Sequence, residues 1–97
     1  RARNNLGQAY EALGRDGEAL AQYRRAVAEP RLWPDERDPE LGGALYNLGR
    51  LCRRLGRAGE ARGVLRQACA LLDASPTHAT FARRAHEELR SLEEGAP

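Results

Sequence analysis

Three arginines lie close together in the middle of the chain and could bind an anion. Arg50, Arg53 and Arg54 are spaced i, i+3, i+4, so they share one face if this segment is helical. A guanidinium group binds carboxylate or phosphate through two parallel hydrogen bonds. Two interpretations are therefore open: a surface for an acidic or phosphorylated partner, or a solvated face beside acidic residues of the chain itself.

Two asparagines offer a second kind of chemistry. Asn5 and Asn47 occupy equivalent places in two similar stretches of the sequence. A carboxamide carries both a hydrogen-bond donor and an acceptor. Such a side chain can bond to the backbone of a bound peptide whatever the side chains of that peptide are. It can equally bond between two neighbouring helices, and the sequence leaves both interpretations open.

Residues that usually perform catalysis or bind metals do not converge in this sequence. Ser75 and Ser91 lack the flanking glycines of a nucleophile elbow. His78 and His86 lack acidic or cysteine partners at the spacing of metal ligands. A glycine-rich phosphate loop is absent as well. We therefore predict no catalytic residues, no cofactor and no metal, and we do not expect an enzyme.

The composition narrows the class of partner and the compartment. The 97 residues fit one domain, and the net charge of +2 is too small to indicate nucleic acid binding, with aromatics at only 5%. No apolar run of about 18 residues is present, so we predict no membrane span. Cys52 and Cys69 fall on apolar stripes without a CxxC motif, which favours buried thiols and a cytoplasmic location.

The elements that must position the polar residues come from an internal repeat. The triplet Asn-Leu-Gly at 5–7 recurs at 47–49, and Leu-Gly-Arg at 13–15 recurs at 55–57. A Gly-Glu-Ala triplet and a later alanine recur at the same offset of 42 residues. One constant offset across so many matches indicates two copies of one structural unit.

Each copy has the pattern of two amphipathic helices. Leu6, Tyr10 and Leu13 are spaced i, i+4, i+7, which places them on one apolar stripe. Gly14 follows where a helix usually ends in a left-handed residue. A third segment opens with Ser75 and a proline, a favourable N-cap and first helical position.

These patterns predict five helices in an all-α fold. Trp33 lies in the link between the copies, where it either packs over the edge of the hairpins or anchors a partner. The predicted organisation is a single domain over 1–97, with repeat 1 at 1–30, a linker at 31–37, repeat 2 at 38–73 and a capping helix at 75–94.

The landmarks resemble the tetratricopeptide repeat. Residues 6–10 have the pattern Leu-Gly-x-x-Tyr and residues 19–23 the pattern Ala-x-x-x-Tyr. The second copy keeps these landmarks, with Cys52 and Leu65 in place of the two tyrosines. The 42-residue offset, longer than the usual ~34, and the asparagine on the first helix resemble the kinesin-light-chain-type subclass.

The resemblance implies a right-handed α–α superhelix of two hairpins plus a C-terminal capping helix. Its function would be that of a protein–protein interaction scaffold, whose first helices form a concave wall that holds a peptide or protein segment, acidic in one alternative. The other function considered is a structural or self-association segment of a larger repeat array or homo-oligomer, joined through open repeat ends. Carried over by position, the peptide-binding residues implied are Asn4, Asn5, Gln8, Tyr46, Asn47, Arg50, Arg53, Arg54 and Arg83.

Overall fold

The fold is a series of antiparallel helical hairpins closed by one further helix. The computed structural model describes residues 2–29, 35 and 37–95, and every regular element in this part of the chain is helical. The number and order of the helices match the prediction, whereas Trp33 and most of the linker lie outside the described residues. The helices are α1 (Ala2–Ala12), α2 (Asp16–Ala28), α3 (Pro39–Arg54), α4 (Ala58–Asp73) and α5 (Ala79–Gly95), with a 3₁₀ turn over Pro76–His78 before α5.

The turn inside each hairpin depends on one glycine. Gly14 has a φ of 75° and Gly56 a φ of 80°. This is the left-handed backbone conformation, which residues other than glycine adopt only at a cost in free energy. The next amide then folds back onto the helix: Arg15 N–H donates to Tyr10 C=O, and Arg57 N–H to Cys52 C=O, both at 2.8 Å. The predicted helix stops are confirmed.

Small residues let the two helices of each hairpin approach closely. A Cβ added at Gly7 would lie 2.6 Å from the Tyr23 ring, and one added at Gly49 would lie 2.6 Å from Cγ of Leu65. These distances are too short for any side chain to fit without displacement. The repeated glycines are therefore positions of helix-to-helix contact.

The capping segment differs in detail from the prediction. Asp38 is the N-cap of α3, and its carboxylate accepts from the N–H of Glu40 at 2.9 Å. Ser75, in contrast, places its hydroxyl 2.8 Å from Nδ1 of His78 instead of capping a backbone N–H. The N–H of His78 donates to the Ser75 carbonyl at 3.0 Å, so this segment starts as a 3₁₀ turn and the α-helix begins at Ala79.

The core lies between the second hairpin and its neighbours. Tyr23, Leu51, Leu65 and Leu72 are fully buried side chains in this cluster. Cys52 and Cys69 are buried free thiols, as predicted, and burial raises the pKa of both. Among the described helices, none is long and apolar enough to cross a membrane.

The predicted apolar stripe of α1 is only partly core. Tyr10 packs against the buried cluster, but Leu6 is 42% exposed and Leu13 is 69% exposed. The equivalent Leu48, on α3, is 4% exposed. The sequence pattern is the same in both helices, so the difference comes from the neighbours: no described helix covers this side of α1.

Candidate functional site

A cleft opens on the side of the molecule formed by the first helices of the hairpins. It encloses about 180 Å³ and runs from α1 across α3 to the start of α5. Polar groups of α1 and α3 line one part and an aromatic ring of α5 lines another. The lining residues are Asn4, Gln8, Pro39, Glu40, Gly43, Ala44, Asn47, His78 and Phe81.

A pair of carboxamides joins α1 to α3 at the wall of this cleft. The Nδ2 group of Asn47 donates to Oδ1 of Asn4 at 3.2 Å, and Asn47 is 8% exposed. This geometry agrees with the interpretation in which Asn47 bonds between two neighbouring helices. The bond uses one donor and one acceptor, so Oδ1 of Asn47 and Nδ2 of Asn4 are not consumed by it. Asn5 is exposed and is not a lining residue.

Phe81 provides the apolar surface of the cleft. Its ring is 42% exposed and packs edge-on against Tyr46, with ring centroids 6.1 Å apart at an interplanar angle of 61°. Tyr46, a predicted groove residue, is largely buried beneath this contact, and burial raises the pKa of its hydroxyl. The sequence pattern does not mark Phe81 as a site residue, because its spacing is that of the apolar stripe of an amphipathic helix.

An imidazole and a carboxylate stand at the end of the cleft. Nε2 of His78 lies 3.8 Å from Oε1 of Glu40, close enough for an ion pair only when the imidazole is protonated. The other ring nitrogen of His78 is held by the Ser75 hydroxyl. Both groups line the cleft, so either one can contact a ligand that occupies it.

A second polar cleft lies between α3 and α5. Arg53 crosses it and donates from Nη1 to Oε2 of Glu88 at 2.9 Å. The predicted Arg83 is exposed and lines neither cleft, whereas its neighbour Arg84 lines this one. The lining residues are Tyr46, Arg53, Arg84, Glu87, Glu88 and Ser91.

The other two arginines of the central cluster are paired inside the chain. Arg50 forms a bidentate pair with Glu11 at 2.6 and 2.9 Å. Arg54 lies 3.1 Å from the same carboxylate and 2.8 Å from Asp16. Since Arg53 is bound to Glu88, all three arginines have an acidic partner within the chain. This agrees with the interpretation in which the cluster is a solvated face beside acidic residues of the chain itself. Whether they also bind an anion from outside remains a prediction.

Glu11 is the centre of this charge network. Its side chain is 9% exposed and also accepts a hydrogen bond from the hydroxyl of Tyr23 at 2.6 Å. Burial alone would raise its pKa, but the bonds from Arg50 and Tyr23 and the charge of Arg54 outweigh burial and hold the pKa below its ordinary value. Burial and the nearby carboxylate raise the pKa of Tyr23, so its hydroxyl stays a donor.

The comparison with known families agrees with this architecture. A family model described as the tetratricopeptide repeat matches residues 1–74, which include both hairpins. No curated protein sequence matches the chain. Repeats of this kind generally mediate protein–protein interaction and are typically scaffolds without enzymatic activity. Since the match covers more than half of the sequence, the chain belongs to the tetratricopeptide repeat family.

Proposed function

We propose that this chain is an adaptor module that binds an extended peptide or protein segment in the cleft formed by α1, α3 and α5. One observation carries the proposal: the same cleft combines a carboxamide pair, Asn4 and Asn47, with the exposed ring of Phe81. Carboxamides can bond to a peptide backbone of any sequence, and an exposed aromatic ring can bury an apolar side chain of the ligand.

The ligand backbone would bond to the groups that the asparagine pair does not use. A backbone N–H can donate to Oδ1 of Asn47, and a backbone C=O can accept from Nδ2 of Asn4. Gln8, which is exposed beside them, extends the polar wall by a further turn of α1. Phe81 would then select for an apolar residue on one side of the ligand.

The arginines beside the two clefts bear on the charge of the ligand. An acidic ligand would compete with Glu11 for Arg50 and with Glu88 for Arg53. Arg84 lines the second cleft and Arg83 is its neighbour in sequence; both are exposed, and the described residues provide neither with an ion pair within 4.0 Å. We infer a modest preference for acidic ligands, which would appear as a small loss of affinity with added salt.

We also propose a repeat subclass, a helix arrangement and a cellular compartment for the chain. The 42-residue offset and the asparagine of α3 support the kinesin-light-chain-type subclass, and the right-handed superhelix is the arrangement expected for stacked hairpins. The two free thiols support a reducing compartment such as the cytoplasm.

The test uses a random peptide library displayed on phage and selected against the wild-type chain. We expect the selected peptides to lose at least ~10-fold in affinity for Phe81→Ala, a change of about 1.4 kcal/mol. Gln8→Ala should give a smaller loss. Leu55→Ala is the matched control, since Leu55 is exposed to nearly the same extent as Phe81 but lines neither cleft. Equal binding to all variants would refute the groove as the binding site.

A second candidate function is a structural segment that joins further repeats or another copy of the chain. The observation that favours it is the apolar side of α1 that no described helix covers, where Leu6 and Leu13 are exposed. Sedimentation velocity over a range of concentrations tests self-association directly. A monomer at every concentration would exclude the homo-oligomer and leave only docking to another helix.

A further inference from the structure

The cleft formed by α1, α3 and α5, which we call the first cleft, has one charged group in its wall. Of the described residues that line it, Glu40 is charged at neutral pH, and His78 is the only other one that can titrate. The arginine cluster lies further along α3, since Arg50 follows Glu40 by ten residues, about 15 Å along the helix. The wall of the first cleft is therefore negative at the end where Glu40 lies.

The carboxylate of Glu40 is not bound to an arginine of the described chain. Its side chain is 54% exposed, and the one described group that can pair with it is the imidazole of His78, at 3.8 Å and only when protonated. Glu11 and Glu88, in contrast, bind arginines at 2.6 and 2.9 Å. The start of α3 does not use this carboxylate either, because Asp38 already caps the N–H of Glu40. Glu40 can therefore bind a cation from outside without giving up a partner.

The groups around Glu40 suit a long basic side chain. Gly43 lies about one turn after Glu40 on the same face of α3, and a Cβ added there would meet no atom within 4 Å, so this part of the cleft is open. Pro39 and Ala44 line the same cleft and can contact the aliphatic part of a lysine or arginine. The exposed ring of Phe81 can receive an apolar side chain or the face of a guanidinium group.

We propose that the first cleft binds a lysine or arginine of the peptide ligand, whose cationic group contacts Glu40 while a nearby apolar residue of the ligand covers Phe81. The carboxamide of Asn47, which is 8% exposed in the same wall, bonds to the ligand backbone. This inference rests on the proposed function and names the chemistry of the ligand. Opposite charges across a binding surface fix the register of a ligand, so the contact with Glu40 would determine where along the cleft the ligand lies.

This preference for a cation and the modest preference for acidic ligands act at different places. Arg53 and Arg84 line the second cleft, between α3 and α5. Tyr46 lines that cleft and also packs against Phe81 of the first one, so the two clefts adjoin. A single ligand would therefore carry its basic residue near the apolar one, and any acidic residue would lie towards Arg84.

The test selects the random peptide library against the wild-type chain and against Glu40→Lys in parallel. We expect the wild type to enrich peptides with lysine or arginine at a constant spacing from an apolar residue, and Glu40→Lys to enrich aspartate or glutamate at that place. A peptide selected on the wild type is then synthesised with a fluorescent label, together with a version whose basic residue is glutamate. That exchange should weaken binding to the wild type at least ~5-fold and strengthen binding to Glu40→Lys, because it places like charges together in one case and opposite charges in the other.

A milder variant tests the same contact without reversing the charge. Glu40→Gln should weaken binding of the selected peptide about 3-fold or more, the size expected for a partly exposed ion pair. Glu94→Gln is the matched control, since it removes an exposed carboxylate of α5 that lines neither cleft, and it should leave binding unchanged. Identical peptides from both selections, or equal binding of the two synthetic peptides to the wild type, would overturn this inference, and the groove proposal would stand if Phe81→Ala still weakened binding. Loss of the Phe81→Ala effect as well would overturn both.

Discussion

The two hairpins share their sequence landmarks but differ in how their first helices are used. In both, a glycine contacts the paired helix and a left-handed glycine ends the first helix. Leu48 of α3 is buried, however, while Leu6 of α1 is exposed. The second hairpin has α2 on one side and α5 on the other, whereas no described helix precedes α1. Burial in a repeat fold is therefore a property of the neighbours as much as of the sequence motif.

The same comparison holds for charge. Glu11 and Arg53 are equivalent positions, and each reaches the next first helix along the stack. Glu11 receives Arg50 in a nearly buried site, while Arg53 donates to Glu88 in a partly exposed one. The repeat conserves the place of the contact between its two copies but reverses the sign of the charge.

The largest expected effect is a difference between two equivalent leucines. Leu48→Ala should lower the free energy of unfolding by about 2–5 kcal/mol, because it leaves a cavity in a packed core. Leu6→Ala should cost less than about 1 kcal/mol, because much of the side chain is already exposed to water. Urea unfolding followed by circular dichroism measures both. Equal losses would mean that Leu6 is covered in solution.

The next effect compares the two charged positions. Glu11→Gln should cost about 2 kcal/mol, since it weakens bonds to Arg50 and Tyr23 in a site with little water. Arg53→Gln should cost less than about 1 kcal/mol, because its ion pair is more exposed. The same unfolding experiment applies, with Arg25→Gln, on the exposed surface of α2, as the control. A larger loss for Arg53→Gln would reverse the comparison.

A smaller and equal effect is expected at the two turns. Gly14→Ala and Gly56→Ala should each cost about 1 kcal/mol, because alanine is disfavoured at the positive φ of these residues. Added Cβ atoms meet no neighbour at either position, so backbone conformation alone is tested. Thermal unfolding should show a similar decrease in the midpoint temperature for the two variants. A clear difference would show that one hairpin adapts its turn more easily than the other.

The smallest effect concerns acid stability. The pKa of Glu11 and that of Glu60 lie below the ordinary value of 4.5, so both carboxylates stabilise the folded chain above that pH. Their contribution should fall as the pH decreases through the folded-state pKa values, because the unfolded chain then binds more protons. Unfolding measured between pH 7 and pH 3 should show this slope. Glu11→Gln should flatten it, and an unchanged slope would contradict this role of Glu11.

Local signals in the sequence are sufficient to predict the helices and the turns between them. Gly14 and Gly56 end helices because the chain needs a left-handed residue there, and Gly7 and Gly49 are required where two helices touch. These constraints act within a few residues or one hairpin, so they leave a readable pattern. The family match over residues 1–74 supports the same landmarks.

The candidate site was less predictable because it depends on contacts between distant residues. The pairing of Arg50 with Glu11 joins positions 39 residues apart and leaves no local pattern. Phe81 has the spacing of a core residue, but it borders the cleft because of where α5 packs. Arg84 rather than Arg83 lines a cleft, since one residue rotates the side chain by about 100° around a helix.

The position of Glu11 has a consequence for how the chain unfolds. Its carboxylate connects the hydroxyl of Tyr23 on α2 with the guanidinium groups of Arg50 and Arg54 on α3. If one hairpin unfolded alone, Glu11 or its arginine partners would remain in the other hairpin without an ion pair, at a junction with little water. The two repeats should therefore unfold in one cooperative step. A ligand that binds Arg50 in place of Glu11 would make their unfolding less cooperative.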